Sequence, residues 1–121
     1  MTVPRVDIAV DCGPIVNPDR VPSRFEGAVI MGLGVGLLNG ISFKDGRVQQ
    51  SNLDDYQVLR ISDAPRETHV YIVPRGYDMH MGGVGEPGVP PVAPALMNAI
   101  FAASGKRIRS LPLGQQLASK A

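Results

Sequence analysis

Several features that often point directly to a function are scarce in this sequence. Among its 121 residues there is one cysteine, Cys12, so we expect no internal disulfide. The histidines, His69 and His80, lie far apart, and no Cys/His group has the spacing of a zinc site, so we predict no metal-ligand set. No stretch approaches the roughly 18 consecutive apolar residues of a membrane span. The sequence therefore predicts neither a zinc module nor a membrane helix.

Excess charge of either sign is also missing. Twelve Lys and Arg residues against 11 Asp and Glu residues give a net charge of +1, so no broad field would attract nucleic acid or an anionic membrane. The first ten residues, MTVPRVDIAV, lack the basic segment, apolar block and cleavage site of a signal peptide. These residues contain no targeting signal, so a cytoplasmic location is only the default expectation, and a longer parent protein could be periplasmic.

What the sequence does contain suits a globular domain. Hydrophobic residues make up 44% and charged residues 19%, an ordinary balance for a folded protein. A chain of this length can bury roughly two-thirds of its unfolded surface, so it can form a core. The 14 glycines and 11 prolines predict many shaped turns between short elements.

The first third of the chain predicts a strand and then a helix. Residues 6–12, VDIAVDC, alternate in polarity as in a half-buried strand. Ser23 and Glu26 have the spacing of a capping box, which predicts a helix from there to about Asn39. Each interior glycine costs a helix up to about 1 kcal/mol relative to alanine, so close approach of another backbone or of a ligand should offset that cost. The candidate stripe, facing this domain's own sheet or a second copy, is Ala28, Gly32 and Gly36.

The remaining segments predict a two-layer α+β domain. Asp45-Gly46 within ISFKDGRVQQ indicates a hairpin, THVYIVP a further strand, and PVAPALMNAIFAASG a helix that ends at Gly105. IRSLPL, residues 108–113, could add an edge strand. The order β-α-β-β-β-α suggests two main helices packed on a mostly antiparallel sheet. We assign residues 1–113 to this domain and residues 114–121 to a flexible tail.

Glu86 is the first candidate for a functional side chain. It lies in GGVGEPG shortly before the second predicted helix, where glycines permit close approach of a ligand and Pro87 stiffens the chain. A carboxylate on a rigid loop is what a general base requires. The alternative is a surface glutamate in a turn. Likewise, the loop from Gly13 to Arg24 is either an anion site at a helix start or an ordinary connection.

A resemblance to a known family covers about residues 5–113. It is carried by AVDCGPIVNPDRVPSRFEGAVIMGLGVGLLNGISFKDGRVQQSNLDDYQVLR followed by GGVGEPGVPPVAPALMNAIFAASGKRIRSLPL. In this order the two stretches resemble the C-terminal part of the molybdopterin-binding large subunit of the xanthine dehydrogenase/aldehyde oxidase family. The branch most similar to them is the isoquinoline 1-oxidoreductase beta subunit. Because those subunits are several times longer, the resemblance implies a fragment or a detached terminal domain.

The resemblance implies roles for individual residues. In the family, the glutamate of the GVGE motif, here Glu86, is the catalytic base beside the molybdenum cofactor. Gly83, Val84 and Gly85 match the same motif and would shape the pocket wall. At the position of Arg24 the family usually carries a glutamine that contacts the pterin. This departure leaves three readings open, namely an altered phosphate contact, a degenerate copy, or no cofactor contact.

The resemblance also implies an oxidoreductase that hydroxylates a small N-heterocycle or an aldehyde with oxygen from water. Its partners would be the remainder of the large subunit and an iron–sulfur subunit. Because the other cofactor ligands lie in sequence that this chain lacks, we expect the isolated chain to be inactive and to hold no molybdopterin. We also expect it to expose an apolar surface that homo-oligomer formation would cover. The alternative function is a detached, non-enzymatic binding or interaction module.

Overall fold

A computed structural model describes residues 1–118, in which two helices pack beside short strands. Residues 119–121, the end of the predicted tail, lie outside the described residues. Among the described residues, neither helix is long and apolar enough to cross a membrane. In chain order the elements are β1 (Arg5–Val10), α1 (Arg20–Leu37), β2 (Phe43–Lys44), β3 (Arg47–Val48), a 3-10 helix (Ile61–Asp63), β4 (Glu67–Ile72) and α2 (Val92–Ser104).

The sheet confirms the α+β class and the element order but differs in direction. β1 pairs with β4 in parallel, from Arg5 opposite Glu67 to Val10 opposite Ile72. Among residues 1–118 only the β2–β3 hairpin is antiparallel, so the expectation of a mostly antiparallel sheet is wrong. A parallel pair needs a long crossover. α1 and the hairpin provide that crossover, which lets the chain return beside β1 in the same direction.

The alternation predicted for the first strand is confirmed. Val6 and Ile8 are half-buried and Val10 is buried, whereas Arg5 and Asp7 are exposed on the opposite face. The apolar face packs against the buried residues of α1. One face of the sheet therefore belongs to the core, and the other is polar.

The start of α1 corrects the predicted capping box. The helix begins at Arg20, four residues before the Arg24 start that a cap at Ser23 implies, and Ser23 lies inside it with its hydroxyl donating to the Arg20 carbonyl at 3.0 Å. The turn at Asn17 and Pro18 sets this start, since their carbonyl groups accept from the Arg20 and Val21 N–H groups. A serine inside a helix bonds back to a carbonyl and cannot cap the N-terminus.

The hairpin and the second helix follow the sequence closely. Phe43 pairs with Val48 across a turn in which Asp45 and Gly46 both have positive φ, as the Asp-Gly signal predicts. α2 ends with Gly105 in the left-handed region, at φ +68°. The edge strand at residues 108–113 is absent from the described residues.

The segment after α2 attaches to the end of α1 instead of pairing with the sheet. The Leu113 N–H donates to the Gly36 carbonyl at 2.8 Å, and the Gly114 N–H donates to the Leu37 carbonyl at 3.2 Å. Leu113 itself is buried in the main core cluster. These bonds satisfy carbonyl groups that a helix C-terminus otherwise leaves without a partner.

The small-residue stripe of α1 brings α2 close. A Cβ on Gly32 would lie 2.5 Å from the Cβ of Val92, and one on Gly36 would lie 3.6 Å from the Cβ of Ala93. Ala28 meets the chain just before α2, because a Cβ on Gly88 would lie 2.6 Å from its own Cβ. The stripe therefore packs against α2 and against the loop that precedes α2. Because these contacts cover it, the stripe is not available to the sheet or to a second copy.

Two glycine-to-alanine substitutions in α1 should change stability in opposite directions. Gly32→Ala should lower the free energy of unfolding by about 1–2 kcal/mol, because overpacking against Val92 outweighs the gain in helix propensity. Gly27→Ala should raise it by up to about 1 kcal/mol, because a Cβ there meets nothing within 4 Å. Urea denaturation of both variants measures the difference. Equal stabilisation by both substitutions would contradict the close helix contact.

Candidate functional site

Two loops that are distant in sequence meet at the end of β1. The Gly82 N–H donates to the Cys12 carbonyl at 2.8 Å. Gly13 has φ +74°, and a Cβ on it would overlap the His80 carbonyl oxygen. A side chain at Gly13 would therefore be excluded both by its backbone conformation and by its neighbour. The loop after β1 and the loop before α2 thus approach backbone to backbone.

Two side-chain contacts hold the same loops together. The Arg75 guanidinium binds the Asp11 carboxylate, with Nε 3.1 Å and 3.0 Å from its two oxygens and Nη2 in contact with one of them. The Tyr77 hydroxyl donates to the Ile15 carbonyl at 3.3 Å. The hydrogen bond from Arg75 holds the pKa of Asp11 below its ordinary value. Sequence reasoning missed both contacts, because no local pattern links residues more than sixty positions apart.

The predicted pocket-wall residues do not share one environment. Val84 is half-buried and packs against a cluster formed by Val10, Cys12, Val21 and Phe25, so it anchors the loop to the core. Gly83 and Gly85 face open space, since a Cβ on either would meet nothing within 4 Å. Space is therefore free beside the backbone on both sides of Val84. Cys12 is a buried apolar residue of this cluster.

Glu86 lies at the exposed end of this loop. Its carbonyl accepts from the Val89 N–H at 3.2 Å, in the first of the turns that lead into α2. Pro87 follows it, and Gly88 fits closely against Ala28. Within residues 1–118, the Glu86 carboxylate has no cation within 4.0 Å and takes part in no side-chain hydrogen bond. The backbone around Glu86 is thus anchored while its carboxylate stays free.

Arg24 lies near the same end of the molecule. It is exposed on α1 directly before Phe25, whose ring would be 3.0 Å from a Cβ on Gly88. Across the described part of the chain, no carboxylate lies within 4.0 Å of its guanidinium. The Glu86 loop thus packs through Gly88 on Phe25 and Ala28, the first of which follows Arg24 in α1.

A groove elsewhere in the domain is a separate feature. It has a volume of about 580 Å³ and lies between β1, α1 and the first half of α2. Pro87 and Gly88 contribute to its rim, but Glu86 does not line it. No cluster of three His, Cys, Asp or Glu side chains suited to a metal occurs among residues 1–118. The described residues around Gly83 and Gly85 therefore place the exposed Glu86 carboxylate beside open backbone.

Known proteins are similar to this chain over nearly its whole length. The profile of the molybdopterin cofactor-binding domain family matches residues 1–65. The beta subunit of isoquinoline 1-oxidoreductase from Brevundimonas diminuta is 40% identical over 118 residues, or 98% of this chain. A nicotinate dehydrogenase subunit from Pseudomonas putida is 35% identical over 93% of this chain. The profile match ends before Glu86, whereas a 118-residue match must span it.

The fold also matches a solved structure. Quinoline 2-oxidoreductase from Pseudomonas putida 86 superposes with a TM-score of 0.77 over 92% of this chain, at 22% identity. At that identity the match shows the fold alone. The chain spans 15% of the isoquinoline 1-oxidoreductase subunit, 9% of the nicotinate dehydrogenase subunit and 15% of the quinoline 2-oxidoreductase chain. Each relative is thus much longer than this sequence.

The ion pair between Asp11 and Arg75 should be visible in an acid titration. Because the folded-state pKa of Asp11 is lowered, its stabilising effect should be complete above about pH 4 and be lost as the pH falls through the folded value. Arg75→Ala should raise the pKa of Asp11 towards its ordinary value and remove that part of the acid sensitivity. Side-chain NMR titration measures the pKa, with Arg66→Ala, an exposed arginine, as the matched control. An unchanged pKa in Arg75→Ala would refute the contact.

Proposed function

The chain belongs to the molybdopterin cofactor-binding domain family, and we propose that it forms one part of a molybdenum hydroxylase subunit in which Glu86 is the general base. The observation that carries the proposal is the setting of Glu86. Its carboxylate is exposed and free, on a loop anchored through Val84 and Gly88. General bases need such positioning, because proton transfer requires hydrogen-bond distance to the reacting group.

The neighbouring residues fit a bound cofactor on one side. Gly83 and Gly85 leave open space within three residues of Glu86, so a flat or bulky group could approach the backbone there. The Arg24 guanidinium could bind a phosphate group, for which its planar set of donors is well suited. The cofactor, when bound, would supply the redox chemistry of the hydroxylation. The role of this chain would be to accept a proton at a Glu86 carboxylate oxygen and to form one wall of the pocket.

The rest of the site would come from outside residues 1–121. The chain spans 15% of the isoquinoline 1-oxidoreductase subunit, so most of such a subunit has no counterpart in it. We propose that the remainder of the large subunit completes the pocket and that an iron–sulfur subunit receives the electrons. The proposed substrate is a small N-heterocycle or an aldehyde, since the similar proteins include isoquinoline, nicotinate and aldehyde enzymes by name.

Replacing Glu86 in the complete enzyme tests the proposed base. Glu86→Gln keeps the size of the side chain but cannot accept the proton, so kcat should fall by about 10²- to 10⁴-fold. Molybdenum content and thermal stability should stay near those of the unmodified enzyme, because Glu86 is exposed in this domain. Steady-state kinetics together with metal analysis measure both quantities.

The matched control is Glu67→Gln, which alters an exposed glutamate on the polar face of β4. It should leave kcat within about twofold, because surface substitutions away from a site have small effects. Near-normal turnover of the Glu86→Gln enzyme with full molybdenum would refute the base assignment. A loss of activity in proportion to stability would identify Glu86 as a structural turn residue.

The isolated chain should bind no molybdenum cofactor at useful affinity. Its described residues provide one open wall and no metal-ligand cluster, so most of the contacts of a buried cofactor would be missing. Metal analysis of the chain, purified from cells that make the cofactor, checks this expectation. Stoichiometric molybdenum in the purified chain would contradict it.

A further inference from the structure

The segment between β4 and α2 contains no helix or strand, so its path depends on contacts with other parts of the chain. Between residues 73 and 82, four residues donate hydrogen bonds to another part of the described chain, and all four bonds end within residues 10–15. The donors are Val73, Arg75, Tyr77 and Gly82. The end of β1 and the loop after it therefore fix where this segment lies.

Asp11 provides the one side-chain acceptor in this set of contacts. The other three acceptors are backbone carbonyl groups, which any residue type would offer. The Asp11 carboxylate accepts from Nε and Nη2 of Arg75, and it also accepts from the Gly13 N–H at 3.4 Å. On the side of residues 10–15, only the Asp11 contact therefore depends on the identity of the accepting residue.

The neighbour of Asp11 in the chain accepts the hydrogen bond that lies nearest to Glu86. Cys12 accepts from the Gly82 N–H at 2.8 Å, and Gly82 lies four residues before Glu86. Val84, between them, packs on the apolar cluster that includes Cys12. A movement of the chain at Asp11 would therefore pass to the backbone that carries Glu86.

The contact between Asp11 and Arg75 is suited to setting geometry. Both side chains are almost half exposed, and exposed ion pairs contribute little to the free energy of unfolding. The guanidinium nevertheless presents two N–H groups to one carboxylate, which fixes both the distance and the orientation of the two groups. The consequence of losing this contact should therefore be a displaced loop in a protein that is still folded.

We infer that Asp11 is a positioning residue for Glu86, because its contact with Arg75 holds the segment after β4 against the loop after β1. The inference rests on the proposed function, in which Glu86 is the general base. Asp11 acts on the proton transfer only through the place of Glu86. A base must lie at hydrogen-bond distance from the reacting group, so a displacement of about 1 Å can lower the rate by about 10²-fold.

Kinetics of the complete enzyme test the inference with two variants that break the same contact. Asp11→Ala and Arg75→Ala should each lower kcat at least about tenfold, with KM within about twofold and molybdenum content unchanged, since a misplaced base affects the transition state. Asp11→Asn keeps an accepting oxygen, so it should recover most of the lost kcat. If Asp11→Ala fails to fold, Arg75→Ala, at an exposed position, still gives the answer.

Asp7→Ala is the matched control. Asp7 is an exposed aspartate of β1 whose carboxylate binds Arg5 of the same strand at 2.7 Å. Because that pair joins no loops, its loss should leave kcat within about twofold. A second control uses the Glu86→Gln enzyme, in which Asp11→Ala should lower kcat no further, because two residues that act through one step are not additive.

Hydrogen exchange of the same enzymes separates this inference from the base assignment. The peptide that contains Gly82 should exchange faster in Asp11→Ala, and a peptide from α2 should not change. Faster exchange together with normal turnover of the Glu86→Gln enzyme would refute the base but support the hold of Asp11 on the loop. Unchanged exchange together with a slow Glu86→Gln enzyme would overturn the role of Asp11 and leave the base in place.

Three kinetic outcomes would also overturn the role of Asp11. The first is normal kcat in both Asp11→Ala and Arg75→Ala. The second is a further fall in kcat when Asp11→Ala is added to the Glu86→Gln enzyme, which would show that Asp11 acts by another route. The third is a loss of molybdenum in proportion to kcat, which would assign the contact to cofactor retention.

Discussion

The close contact between α1 and α2 is the constraint on which the rest of the domain depends. At Gly32 there is no room for even one methyl group beside Val92, so the glycine is required by packing despite its cost to the helix. This contact sets where α2 begins. It thereby sets where the preceding loop, with Gly88 against Ala28, must lie. The position of Glu86 therefore depends on this packing, because Gly88, two residues further along the chain, lies close against Ala28 of α1.

The second constraint is the meeting of the two loops at the end of β1. Gly13 and Gly82 allow the backbones to touch, and the Asp11–Arg75 pair ties the strand to the segment after β4. Together these contacts leave the backbone at Gly83 and Gly85 open to whatever lies outside the domain. The core of the domain is packed, whereas two parts of its surface are uncovered. One is the backbone at Gly83 and Gly85 near Glu86, and the other is the edge of β1 opposite β4, which has no strand partner among the described residues.

The elements that sequence predicted correctly are those specified by neighbouring residues. The Asp45-Gly46 hairpin, including its register, and the end of α2 at Gly105 depend on local conformational preferences. The predictions that failed needed information from elsewhere in the chain. Ser23 has the spacing of a cap, but the turn at Pro18 had already started the helix. The segment 108–113 has strand-like residues, but Leu113 at its end donates to the Gly36 carbonyl of α1 instead of pairing with a strand.

By itself, the sequence determined the α+β class, the polar and apolar faces of β1, and the presence of Glu86 on a loop rich in glycine and stiffened by Pro87, because these follow from local periodicity and turn chemistry. It also carried the family resemblance. Only the tertiary structure decided that β4 runs parallel to β1, that the glycine stripe meets α2, and that Arg75 binds Asp11. These contacts join residues far apart in the chain, and their partners are chosen by the shape of the whole fold, which no short pattern encodes.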